Sequence, residues 1–194
     1  MIYRAIDTKL YGPINIGAAT EEEFLRRNKG YIAVEKDELP GYPSWLPHGY
    51  YMLDGDKIVL DAERMQQLIV DTAKRTVEHH IYASYPQQKQ TQDQSWKSYA
   101  EAAIVAIAAQ MGQPITIDQL GIEITGTVLA VMAGNTTIAD YVASKPEPMR
   151  EHYEKLLRVG IRLKWAKNCI DEMKAALAEN RAPDYPAYPA EILV

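Results

Sequence analysis

The stretch that decides the fold is residues 148–178, PMREHYEKLLRVGIRLKWAKNCIDEMKAALA. Met149, Tyr153, Leu156, Leu157, Gly160, Leu163, Ile170, Met173 and Leu177 recur along it at three- and four-residue spacing. That period lays one apolar stripe along a helix. Pro148 suits a first helical position, where the donor it lacks has no partner anyway. Asn180 reads as the C-cap.

Two more helical stretches lie upstream. Asp61 is a good N-cap, and Met65, Leu68, Ile69, Thr72, Ala73, Thr76, Val77, His80 and Ile81 form an apolar stripe that Tyr85-Pro86 ends. A second helix runs from about residue 91 to 111, with Trp96, Tyr99, Ala100, Ala103, Ile104, Ile107 and Met111 inward, until Gly112-Gln113-Pro114 breaks it. Residues 117–120 begin a turn and 125–132 form a short helix. Thr136-Thr137 caps another over 138–144. These stripes predict a core shared by Trp96, Tyr99, Ile107, Leu156, Leu157, Leu163, Ile170 and Met173.

Residues 1–60 have a different character. Thr20-Glu21-Glu22-Glu23 reads as a capping box for a short helix, with Gly30 as its terminating glycine. Tyr31-Ile32-Ala33-Val34 reads as a strand. Tyr50-Tyr51-Met52-Leu53 and Lys57-Ile58-Val59-Leu60 flank Asp54-Gly55-Asp56, a hairpin signal. Between them, Pro40, Pro43 and Pro47 exclude a regular element. The expected fold class is α+β, a small mixed N-terminal segment with a β-hairpin followed by an α-helical bundle. Its parts are an irregular, β-leaning attachment segment (1–60), a linking helix and Tyr-Pro loop (61–91), a helical bundle (92–180) and an extended Pro/Tyr arm (181–194). The change of character is placed at residues 84–92.

Composition bounds the function. The chain has 194 residues and a formal net charge of −5, which disfavours broad attraction to nucleic acid. Its one cysteine, Cys169, excludes an internal disulfide and a multi-cysteine zinc site. Cys169 has no His–Asn pattern beside it and reads as a buried, inert thiol. No run approaches the length of a membrane span, and the N-terminal residues lack a signal-peptide core. A cytoplasmic place of synthesis is expected.

No chemistry-bearing motif is present. His48, His79, His80 and His152 form neither an HxxxH pair nor HExxH. His80 reads as a hydrogen-bonded residue at the core edge. GxGxxG, GxxxxGK[ST] and GxSxG are absent. No metal, nucleotide or redox cofactor is expected. Lys155, Arg158, Arg162, Lys164 and Lys167 make a basic run around Trp165, but Glu151 and Glu154 precede them by one turn, which favours i,i+4 pairing.

The aromatic usage is biased: 13 Tyr and 3 Trp against one Phe. Tyr and Trp join a large apolar face to a polar handle and are enriched at protein contacts. Tyr-Pro occurs at Tyr42, Tyr85, Tyr185 and Tyr188. The last two stand in PDYPAYPA, a polyproline-like arm ending in Ile192-Leu193-Val194. Such an arm is expected to stay loose on a free chain and to become ordered on a neighbouring subunit, the alternative being that it folds back on its own chain. Tyr42, Trp45, Tyr185, Tyr188, Ile192, Leu193 and Val194 are the candidate partner-binding residues.

One resemblance accumulates over residues 50–178. It comprises Tyr51-Met52-Leu53-Asp54-Gly55-Asp56-Lys57-Ile58-Val59, then Tyr85-Pro86-Gln87-Gln88-Lys89-Gln90, Gln94-Ser95-Trp96 and Tyr99-Ala100-Glu101-Ala102, then helices holding Ala133-Gly134 and Val159-Gly160. The pattern resembles the small accessory proteins encoded with tail and tail-fibre genes of tailed bacteriophages. The resemblance implies a non-enzymatic virion structural protein in a tail, collar, baseplate or fibre attachment, or a tail-fibre assembly chaperone absent from the mature particle. It implies other phage virion proteins as partners, in a symmetric multi-copy assembly, and a location in the virion or, during assembly, the host cytoplasm. It carries no catalytic residue to transfer.

Overall fold

The computed structural model describes residues 1–35, 38–39 and 50–193. The chain divides into two compact units, Met1–Thr72 and Ala73–Val194. The division falls inside a helix, so the Tyr-Pro loop at Tyr85 belongs to the second unit, whereas the composition placed the change at 84–92.

The first unit is an antiparallel sheet of five strands. They are β1 (Ile2–Ile6), β2 (Lys9–Tyr11), β3 (Tyr31–Ala33), β4 (Tyr51–Asp54) and β5 (Lys57–Leu60), in the order β3-β1-β2-β4-β5. Asp54 pairs with Lys57 across a two-residue turn in which Gly55 has φ +61°, the left-handed geometry that a tight hairpin needs. A second hairpin, unforeseen, joins β1 to β2: Ile6 pairs with Lys9, and Asp7 takes φ 55°. One face buries Tyr3, Leu10, Val34, Leu39 and Tyr51, with the Tyr3 and Tyr51 rings edge to face at 6.4 Å. Helix α1 (Glu21–Arg27) starts at Thr20, whose hydroxyl accepts from the Glu23 amide. It ends at Asn28 instead of Gly30, because the Asn28 side chain donates to the Phe24 carbonyl.

Helix α2 (Ala62–Ser84) starts in the first unit, where the Asp61 carboxylate accepts from the Arg64 amide, and ends in the second. The second unit further holds α3 (Gln87–Gln110), α4 (Ile117–Met132), α5 (Ile138–Ala143), a 3-10 turn (Glu147–Met149), α6 (Arg150–Ala178) and the extended arm that follows it. Helix α6 is about 43 Å long and is the axis against which α3, α4 and α5 pack. It closes in a Schellman motif. Asn180 takes φ 52°, its amide reaches the Leu177 carbonyl, and the Arg181 amide reaches that of Ala176.

The bundle core differs from the expected one. Leu156, Leu157 and Met173 are buried and Ile107 is partly buried, but Trp96, Tyr99, Leu163 and Ile170 are exposed, Tyr99 at 64%. Met111 and Ile69, also placed inward from spacing, are exposed too. Helix α3 packs through Ile104 and the small residues Ala100 and Ala108, which admit a close approach to α6. Helix α6 buries Val159, Ile161, Trp165 and Cys169 where the periodic reading had Leu163 and Ile170. The core is also segmented. Leu156 packs with Ala100, Leu120 and Met149; Leu157 with Val128, Val131 and Ile138; and Met173 with Val77, Ile81 and Trp165.

Candidate functional site

Helix α4 is continuous, although Gly121 and Gly126 fall within it. Its start is a full capping box, in which Thr116 accepts from the Gln119 amide while the Gln119 side chain takes the Thr116 amide. Leu120, Val128 and Val131 anchor one face. The opposite face carries Ile122, 75% exposed, with Thr125, Gly126 and Leu129, the last 48% exposed. Only Asp118 and Glu123 are charged on this helix.

Beside that face lies an apolar groove of about 390 Å³. Ile124, Val128 and Leu129 of α4 form one wall, and Leu156, Gly160 and Leu163 of α6 form the floor. Gly160 sets its depth, since a Cβ there would stand 2.7 Å from Val128 Cγ2. Lys97, Glu101, Lys164 and Lys167 stand on the rim. Lys97 lies 3.7 Å from Glu101, and Lys167 lies 2.6 Å from Asp171. An apolar floor with a largely neutralised rim has the character of a site for an apolar surface.

Two polar clusters sit elsewhere in the helical unit. The fully buried Asp93 of α3 accepts at Oδ2 from Arg162 Nε (2.5 Å) and from the Tyr85 hydroxyl (2.9 Å), and Lys89 Nζ stands 3.2 Å from Oδ1. Burial pushes the Asp93 carboxyl up, but the Arg162 and Tyr85 hydrogen bonds and the Arg162 charge outweigh it and hold the group below the usual range. Burial and the adjacent carboxylate push the Tyr85 hydroxyl well up. Around Glu123, the Tyr141 hydroxyl donates to Oε1 at 2.5 Å, Lys145 pairs with the same oxygen, and the Tyr153 hydroxyl reaches Oε2 at 3.4 Å. Burial opposes ionisation of Glu123, but Lys145 and Tyr141 hold it below its ordinary value, while burial and Glu123 push Tyr153 up to about 12. Each cluster thus holds an ionised acid, matched cations and protonated phenols. Both act as fasteners between segments of the helical unit.

The C-terminal arm lies on its own chain. Trp165 Nε1 donates to the Pro186 carbonyl at 2.8 Å, Tyr188 meets the Trp165 ring edge-on at 4.9 Å, and Tyr185 stacks on His80 at 4.5 Å. His80 stands at the core edge, stacked on Tyr185; among the described residues its Nε2 has no hydrogen-bond partner. Ile192 and Leu193 pack on the cluster of Val128, Ile138, Leu157 and Ile161, and Arg158 donates to the Leu193 carbonyl. Of the candidate partner-binding residues, the structure gathers Tyr185, Tyr188, Ile192 and Leu193 against the helices. Tyr42, Trp45 and Val194, with His48, lie outside the described residues.

The basic run is divided. Lys155 pairs with Glu151 and Arg158 with Glu154, as the spacing predicts, but Arg162 turns inward to Asp93. Burial pushes the Cys169 thiol up. Among the described residues no group of three or more His, Cys, Asp or Glu is placed to hold a metal ion, and no helix is long and apolar enough to cross a membrane. The groove and the Asp93 cluster both escaped the sequence reading. Comparison with protein-family models, curated proteins and solved structures found no match to this chain.

Proposed function

We propose that this protein is a non-enzymatic structural protein of a tailed-phage virion, working by binding other virion proteins through a rigid helical unit. The observation that carries the binding reading is the exposed, nearly charge-free face of α4 with the apolar groove beside it. Large apolar side chains left in water favour association, at about 1.5–3 kcal/mol for each one fully buried. Exposed contiguous apolar surface rimmed by polar groups is characteristic of protein contact sites. The groove is held in shape by the two fasteners, which tie α3 to α6 and α4 to the segment following it.

The tailed-phage setting rests on the resemblance in Tyr85-Pro86-Gln87-Gln88-Lys89-Gln90 and the residues around it. That segment has a physical role here. Gln90 donates to the Tyr85 carbonyl at 2.7 Å, and Tyr85 and Lys89 both serve Asp93. The pattern therefore belongs to the helical unit that carries the groove. Mass spectrometry of purified particles tests the role: copies in stoichiometric ratio to tail proteins support it. Absence from particles, with co-purification of a fibre protein from infected cells, replaces it with the assembly-chaperone role.

A further inference from the structure

We propose that α4 is a self-association helix, through which two copies of this chain pair antiparallel about a twofold axis beside Thr125 and Gly126, each copy's α4 covering the other's groove. The proposal rests on reading the groove as a protein-docking surface and names its occupant.

Charge allows a second copy at this face alone. Each chain carries −5, so two copies repel unless they meet where charge is absent. Beyond Asp118 the exposed face of α4 offers Ile122, Thr125, Gly126 and Leu129, because Glu123, the other charge on the helix, is engaged by Lys145 and Tyr141. A polyanionic partner fits less well, since Glu101 and Asp171 already neutralise two of the three rim lysines.

The residue order is self-complementary. An antiparallel pairing centred between Thr125 and Gly126 sets Ile122 against the partner's Leu129, and Leu129 against the partner's Ile122. The two most exposed large side chains over residues 118–132 thus meet each other, while the small residues at the axis let the backbones approach. An isologous contact requires such a self-matching patch.

The ends match as well. Leu120 packs with Met149 and Tyr153, and Val128 packs with Leu157 and Ile161, so α4 and α6 run in the same direction. Lys164 and Lys167 therefore lie toward the C-terminal end of α4. Antiparallel pairing brings the partner's Asp118 to that end, where its charge meets Lys164.

Sedimentation equilibrium on the full chain, from about 1 to about 100 μM, covers the range in which a modest homodimer dissociates. The expected result is a monomer–dimer equilibrium that Ile122→Lys weakens about tenfold or more, as for a central contact, with unchanged circular dichroism. A monomer throughout, or a dimer indifferent to Ile122→Lys, overturns the proposal. Thr125→Cys reads the register directly. Beside the axis it forms an intermolecular disulfide on mild oxidation faster than Lys174→Cys does, and equal rates overturn the register. The two readings fail separately: a monomeric chain whose incorporation into particles is lost with Ile122→Lys removes self-pairing and keeps docking. A dimer absent from particles keeps self-pairing and removes the virion role.

Discussion

Replacing Arg162 with methionine removes the strongest partner of a carboxylate that has no exposure at all. The size of the effect follows from what remains. Asp93 keeps the Tyr85 hydroxyl at 2.9 Å and Lys89 at 3.2 Å, so it is neither bare nor fully compensated. Breaking a buried ion pair by deleting one member costs about 3–5 kcal/mol, and two surviving donors place this case near the lower end, at about 3 kcal/mol. That corresponds to a drop in thermal midpoint on the order of 10 °C. Urea unfolding followed by circular dichroism, with linear extrapolation, measures it. The double variant Asp93→Leu, Arg162→Met removes both charges and should return to within about 2 kcal/mol of the parent, the remaining loss coming from the orphaned Tyr85 hydroxyl. A loss below about 1 kcal/mol for the single variant would refute the reasoning. So would a double variant equal to the sum of its singles, because contacting residues must couple.

Three further outcomes follow from the same contacts. Asp93 and Glu123 bind a proton less readily folded than unfolded, so their contribution is complete above about pH 5 and is lost as pH falls through their lowered folded values. Urea midpoints should be level from pH 7 to about 5 and then fall, with a shallower fall in Arg162→Met; a profile unaltered by that substitution contradicts the assignment. Deleting residues 183–194 uncovers Trp165 and the Leu157 cluster, so tryptophan emission should shift to the red and stability should drop by several kcal/mol, at about 1.5–3 kcal/mol per re-exposed aliphatic side chain; unchanged emission would show that the arm does not cover the helices in solution. Gly160→Ala should destabilise by about 1–3 kcal/mol because its methyl meets Val128, whereas Gly121→Ala, with open space around it, should stabilise by about 0.5–1 kcal/mol; thermal melts of the pair reverse the expectation if both move the same way.

What the sequence made legible was local chemistry. The α1 start at Thr20, the Asp54-Gly55-Asp56 hairpin and the extent of α6 rest on caps, turn residues and one long period, and each stands in the structure. The β1–β2 hairpin turns at Asp7-Thr8, which lacks the glycine that marks such turns. Helix α4 was hidden by Gly121 and Gly126, each costing about 1 kcal/mol in a helix interior. Its capping box and the burial of Leu120, Val128 and Val131 outweigh that cost.

The site was less legible than the fold. Trp96 and Tyr99 fell on an apolar period, but α3 packs its alanines against α6 instead and leaves the rings outside. Asp93 drew no reading in its Gln-rich helix start, since its partner lies 69 positions away in sequence. Ile122 and Leu129 drew no reading from the sequence, and only the packed helices reveal that both stay exposed.

The most direct test of the central claim is quantitative mass spectrometry of purified phage particles, comparing those assembled with the parent chain and with Ile122→Lys, Leu129→Lys. The account predicts the parent in stoichiometric ratio to tail proteins and the variant, equally folded, depleted from particles. Incorporation of the variant at the parent's level would contradict the role of the α4 face, and absence of the parent from particles would contradict the virion role itself.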